Sequence, residues 1–171
     1  MPHAQPRARG APRRGEGLAN VKVPGRFQVL PGPVPLILDV AHNPQAAQSL
    51  AATLASWPIP GKTYAVTAVM ADKEIGAIFA AMAPVIDHWS LTSVNLARAA
   101  KAAQLAEVLK STVAEAKYEL SDSVTDALYR LARQVKPNDR VVVFGSFYTV
   151  AEVMTSDYNA GLVLSEQQEA N

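Results

Sequence analysis

Asp39, His42, Asn43 and Pro44 lie within six residues of one another at the end of an apolar run, in "LILDVAHNP". A carboxylate at the end of a buried strand can accept the two hydroxyls of a ribose. It can also cap the turn that follows. An imidazole three residues on can carry a proton, ligate a metal or donate to an anion, or serve as a structural hydrogen-bonder at a helix start. Metal ligation is the weakest of these. The chain has three His and no Cys, and no second His stands at helical spacing from His42, so no metal ligand is assigned.

Three more positions carry matching chemistry. Lys73, in "MADKE", follows an apolar run and opens a helical pattern, where the helix dipole disfavours a cation. That placement suits binding of a carboxylate or phosphate, with a solvated lysine as the alternative. Ser146 follows Gly145 in "FGSFY", and its hydroxyl with neighbouring N–H groups suits an anion. The second Gly of G-x-S-x-G is absent, so Ser146 is no hydrolase nucleophile. Arg26 follows a Pro-Gly turn in "PGRF", which suits bidentate phosphate binding as well as an ordinary surface arginine. Neither G-x-x-x-x-G-K-[ST] nor G-x-G-x-x-G occurs, so the chain cannot cradle a triphosphate by itself. It reads as half of an active site.

The elements that must hold these residues alternate. Apolar runs at 26–30, 34–40, 62–70, 87–94 and 140–147 predict strands, with a short one near 117–122. The run at 34–40 is continuously apolar, as in a sheet buried on both faces. Helical spacing predicts helices over 44–57, from Asp72 to Met82, over 102–112 and 123–135, and to about Asp157. Asn43 before Pro44 predicts a capped start. Asp72 is expected to cap the second helix, and Thr149 with Glu152 to form a capping box for the last. The fold class is therefore α/β, a Rossmann-like, mostly parallel sheet with helices on both faces. In such sheets ligands bind at the carboxyl ends of the strands, where Asp39, His42, Lys73 and Ser146 all fall.

Bulk properties narrow the function. The sequence has 171 residues, 49% of them hydrophobic, with a formal net charge of +1. That fits one domain with its own core and argues against nucleic acid or a membrane surface as partner. The absence of Cys removes disulfides and thiolate catalysis. No apolar stretch is long enough to span a bilayer and no secretory signal is evident, which predicts a cytoplasmic protein. Residues 1–17 are rich in Arg, Pro and Gly without apolar periodicity, and are expected to be a disordered basic tail or linker remnant. The domain proper is expected at 18–158, and a flexible tail at 159–171.

"PGRFQVL", "LDVAHNP", "MADKE" and "VFGSFYTVAEVM", in this order between Gly17 and Asp157, resemble the C-terminal domain of the bacterial bifunctional dihydrofolate synthase/folylpolyglutamate synthases, within the Mur-ligase superfamily. The resemblance implies an ATP-dependent ligase that adds L-glutamate to a folate substrate through an acyl phosphate. It implies that ATP and Mg2+ are held mainly by a P-loop N-terminal domain, in cis or in trans. Matched position by position, it gives Arg26 to the nucleotide, Asp39 to the ribose, His42 to the reacting centre and Ser146 to the stretch linked to amino-acid binding. Lys73 falls, more loosely, where related ligases keep a lysine for a substrate carboxylate. Because the stretch before Gly17 does not match such a domain, the expectation is a fragment, truncation or misassigned start, inactive alone. The rival reading is a non-catalytic α/β module that binds a nucleotide or a protein.

Overall fold

The computed structural model describes residues 25–155. The expected basic tail, the C-terminal tail and the last helix's end at Asp157 lie outside the described residues. Six strands form one sheet: β1 (Gln28–Leu30), β2 (Leu36–Leu38), β3 (Thr63–Thr67), β4 (His88–Leu91), β5 (Tyr118–Leu120) and β6 (Arg140–Phe144). Five α-helices accompany them: α1 (Pro44–Ala55), α2 (Ile75–Met82), α3 (Ala102–Thr112), α4 (Val124–Ala132) and α5 (Phe147–Thr155). The strand order is β1-β2-β6-β3-β4-β5. All neighbours run parallel except β1, which pairs antiparallel with β2 at one edge.

Alternate residues of each strand feed two separate cores, as a sheet covered on both faces requires. Ile37, Ala65, Val142 and Phe144 face α1, α2 and α3, while Leu36, Leu38, Val66, Val141 and Val143 face α4 and α5. The first core holds an aromatic cluster in which Trp89 lies 5.1 Å from Phe79 and 6.4 Å from Phe144 between ring centroids. Removing a fully buried ring of this kind costs about 3–5 kcal/mol.

The ladders are shorter than the apolar runs. Residues 34, 69 and 70 are buried yet lie outside the strands, and Met70 forms an isolated bridge with Ala99. Hydrophobicity marks burial, whereas the ladder also needs an in-register partner. Two capping expectations are corrected. Asp72 does not cap α2: it is exposed, and the helix starts after Glu74 without a side-chain cap. Thr149 does not cap α5: Ser146 supplies the cap, and Glu152 accepts instead from the N–H of Thr125 at 3.4 Å. The Asn43 cap forms as expected, accepting from Ala46 N at 2.8 Å with Pro44 in the first turn.

At the amino end of the strands, buried Arg140 donates to Thr63 Oγ1 at 2.8 Å and to the carbonyls of Trp57 and Leu54 at 2.6 and 3.1 Å. It thereby closes the C-terminal end of α1, where a cation is favoured. Nearby, half-buried His88 packs 5.5 Å from the Tyr64 ring, and its Nδ1 is buried without a partner among the described residues. Burial pushes its pKa below the ordinary 6.5 and outweighs the opposing pull of Glu119; Lys117 and Lys62 push the same way. The unfolded chain then binds this proton first, so stability is intact above pH 6.5 and is lost as pH falls toward the folded value. The urea midpoint is expected to drop between pH 7.5 and 5.5, and His88→Gln to reduce that drop; an equal drop in both proteins contradicts the assignment.

Candidate functional site at the carboxyl rim of the sheet

The helices decide where a ligand can enter. β2 and β3 lead into α1 and α2 on one face, whereas β6, which lies between them, leads into α5 on the other. Successive connections therefore part at the carboxyl ends of β2, β6 and β3, which opens a crevice there. Asp39 is the first residue beyond β2, Gly145 the first beyond β6, and Ala68 the first beyond β3.

These three ends are tied together. Asp39 N donates to Val143 O on β6 at 3.0 Å. Thr149 Oγ1 donates to Ala68 O at 2.7 Å, which binds α5 to the end of β3. That donation settles the protons around Ser146. Its Oγ lies 2.7 Å from Thr149 Oγ1, whose hydrogen is already spent, so Ser146 donates there while accepting from Thr149 N at 3.0 Å. The Ser146 hydroxyl is thus turned inward. What the segment offers to the crevice is the unsatisfied N–H groups of the first turn of α5.

Gly145 makes this crossing sterically possible. Its φ is +126°, and a Cβ there would lie 2.3 Å from Ala68 O and 2.8 Å from Thr67 Oγ1. Only glycine fits both the backbone and the gap.

Asp39 is half-buried and uses both oxygens. Oδ1 accepts from Ala41 N at 2.8 Å and Oδ2 from Phe27 N at 3.0 Å. Partial burial raises its pKa above the ordinary 3.8, outweighing those two N–H groups and the Arg26 charge, which all favour the carboxylate. Arg26 is exposed on the turn that Asp39 holds. His42 is exposed too, with Nδ1 2.9 Å from Val40 O. A carbonyl only accepts, so Nδ1 carries the hydrogen and Nε2 is left outward as the working nitrogen.

Lys73 lies in the turn before α2, with Nζ 4.0 Å from exposed Asp72. It and His42 precede α1 and α2, which pack against each other. The structure therefore links Asp39 to the Arg26 turn through Phe27 N, sets Ser146 at the adjoining strand end, and places His42 and Lys73 at the mouths of two neighbouring helices. Sequence reasoning gave Thr149 a capping role and missed its bond to Ala68 O, 81 residues away. It also missed Arg98, whose carbonyl accepts from Ala71 N at 2.8 Å and whose guanidinium sits 5.7 Å from the Tyr148 ring centroid. No local signal distinguishes Arg98 from a surface arginine; only the pairing of the two loops brings it to the rim.

A doubly wound α/β domain with basic and N–H donors gathered at its switch point is the class these features define. Comparison with known proteins names the family. Residues 25–147 match the Mur ligase, glutamate ligase domain, and the chain belongs to that family. Over 139 residues it is 37% identical to the dihydrofolate synthase/folylpolyglutamate synthase of Escherichia coli, covering 81% of this chain and 32% of that protein. The structure of E. coli FolC in complex with DHPP and ADP superposes with a TM-score of 0.73 at 37% identity, over 81% of this chain and 32% of the other. A bifunctional folylpolyglutamate synthase/dihydrofolate synthase with Mn, AMPPNP and L-glutamate bound gives a TM-score of 0.70 at 40% identity, over 79% and 32%. The chain thus spans about a third of the length of these relatives.

Gly145→Ala is expected to cost more than about 2 kcal/mol, because it strains the backbone and forces β6 away from β3. Thermal unfolding of the variant checks this. An unchanged melting temperature would mean that the strand ends do not meet as described.

Proposed function

We propose that this domain is the closing half of an ATP-dependent ligase that adds L-glutamate to a folate substrate. The observation that carries the reading is the convergence of Arg26, Lys73 and the α5 N-terminus on the switch-point rim, in a family whose solved members hold nucleotide, folate substrate and glutamate. In this reading the carboxylate of the dihydropteroate or folylglutamate attacks the γ-phosphorus of ATP, giving an acyl phosphate and ADP. The amine of L-glutamate then attacks the acyl carbon, phosphate leaves, and the amine loses a proton.

Arg26 supplies fixed positive charge to the ATP phosphates, where charge redistributes in the transition state. Asp39 faces the ribose with its remaining lone pairs. His42 presents Nε2 to the reacting centre, to take the proton that the amine releases. Lys73 and the first N–H groups of α5, behind Ser146, receive the carboxylates of glutamate. Among the described residues no group of three or more His, Cys, Asp and Glu side chains is placed to hold a metal. In this proposal a divalent ion such as Mg2+, which would screen the phosphates, is held mainly by a P-loop domain supplied in cis or in trans. We propose a cytoplasmic location for this reaction; among the described residues no helix is long and apolar enough to cross a membrane.

Mixing the purified chain with a separately expressed P-loop portion of a bacterial folylpolyglutamate synthase is expected to restore ADP release that depends on both glutamate and folate. His42→Ala should lower the rate at least about tenfold, within the range of general-base catalysis. A folded, demonstrably associated pair with no such activity would contradict the proposal.

A further inference from the structure

Arg26 occupies an unusual seat. Its two neighbours have left-handed backbones, Gly25 at φ +76° and Phe27 at φ +40°. For glycine that conformation is free, but for phenylalanine it is strained and persists only where the surroundings enforce it. The enforcement is visible. Gly25 O accepts from Val40 N at 2.6 Å, and Gly25 N donates to Gln28 Oε1 at 3.4 Å. Phe27 N donates to Asp39 Oδ2 at 3.0 Å. The Phe27 ring stands edge-on to Trp57 at 6.4 Å, and Trp57 in turn lies over buried Arg140. Even the close approach is specific: a Cβ on Gly25 would lie 2.7 Å from Val40 Cγ1.

Every residue around Arg26 is therefore held, while the Arg26 side chain is exposed and has no hydrogen-bond or ion-pair partner within 4 Å among the described residues. Among the described residues, Asp39 is the side chain that grips the strained residue through its backbone N–H. One of its oxygens holds the Arg26 turn and the other holds Ala41 at the approach to His42. The same carboxylate thus fixes the two rim segments that flank it.

We propose that Asp39 is a positioning residue for Arg26: its carboxylate holds the strained Gly25–Phe27 turn against the end of β2, so that Arg26 is presented pre-aimed to an anionic ligand. This deepens the functional proposal above and rests on it for the identity of the ligand, the polyphosphate of a nucleotide. It differs from a role in which Asp39 acts only by touching that nucleotide. A guanidinium on a fixed turn loses little freedom on binding, whereas the same side chain on a loose turn must be ordered each time. Phosphate affinity then depends on a carboxylate that need not touch the phosphate.

Two measurements on the full chain test this. Amide exchange reads the clamp without any ligand. The Phe27 N–H should be protected at least tenfold in the wild type, lose that protection in Asp39→Ala, and keep part of it in Asp39→Asn, which retains one acceptor. Protection that is absent in the wild type or unchanged in Asp39→Ala overturns the proposal, whatever the ligand. The second measurement is the affinity for ATP of the chain reconstituted with a P-loop domain, across a double-mutant cycle. Arg26→Ala is expected to weaken binding about tenfold or more, and Asp39→Ala should cost at least about threefold less in the Arg26→Ala background than in the wild type, any remainder being its own ribose contact. Fully multiplicative losses would leave Asp39 that contact alone and overturn the positioning role. If the wild-type pair shows no ATP dependence at all, the functional proposal fails, while amide exchange still decides the clamp.

Discussion

The carbonyl of Ala68 is the point on which the rim depends. It closes β3, receives the Thr149 hydroxyl at 2.7 Å, and lies where any side chain on Gly145 would have to go. One hydrogen bond and one missing Cβ therefore let β6 approach β3 closely enough to send α5 to the opposite face from α1 and α2. If β6 were pushed outward, the helices would no longer part at the crevice. The N–H groups of α5 would then lose their place beside the turn that carries Arg26.

Order at this rim comes mainly from side chains spent on backbone. Asp39 holds Phe27 and Ala41, Asn43 holds Ala46, Ser146 holds Thr149, and His42 is anchored by Val40. Such bonds contribute about 1 kcal/mol each in net terms. Their larger effect is to fix the rim segments that carry exposed Arg26 and His42. The far end of the sheet is built differently. There Arg140 is buried and its guanidinium is used on Thr63, Trp57 and Leu54. Arg140 and Arg26 thus have opposite fates, one spent inside the fold and the other presented at the rim.

Much of this was legible in the residues, and for local reasons. The all-apolar Leu36–Leu38 strand, the Asn43–Pro44 helix start and the strand–helix alternation each depend on neighbours a few positions away. Capping of α5 was not legible. Whether Ser146 or Thr149 serves depends on how far β6 continues, and Thr149 is drawn off by a carbonyl 81 residues distant. Asp72 failed as a cap because α2 begins two residues later than its polar turn suggests. Of the two readings of Asp39, the structure shows the turn-holding one, with its oxygens accepting from Phe27 N and Ala41 N. The motif order pointed to the right family, to which the chain belongs by its match over residues 25–147.

In the proposed function the carboxyl rim is the surface that meets nucleotide when a P-loop domain is present. The direct measurement is the change in backbone amide resonances of labelled chain on adding AMPPNP with an unlabelled P-loop domain. The account predicts nucleotide-dependent shifts at Arg26, Ala41, His42 and Phe147, with Thr63, Asp87 and Asp139 at the far end unmoved. Shifts centred on that far end, or nucleotide binding that leaves Arg26 and His42 untouched, would contradict it.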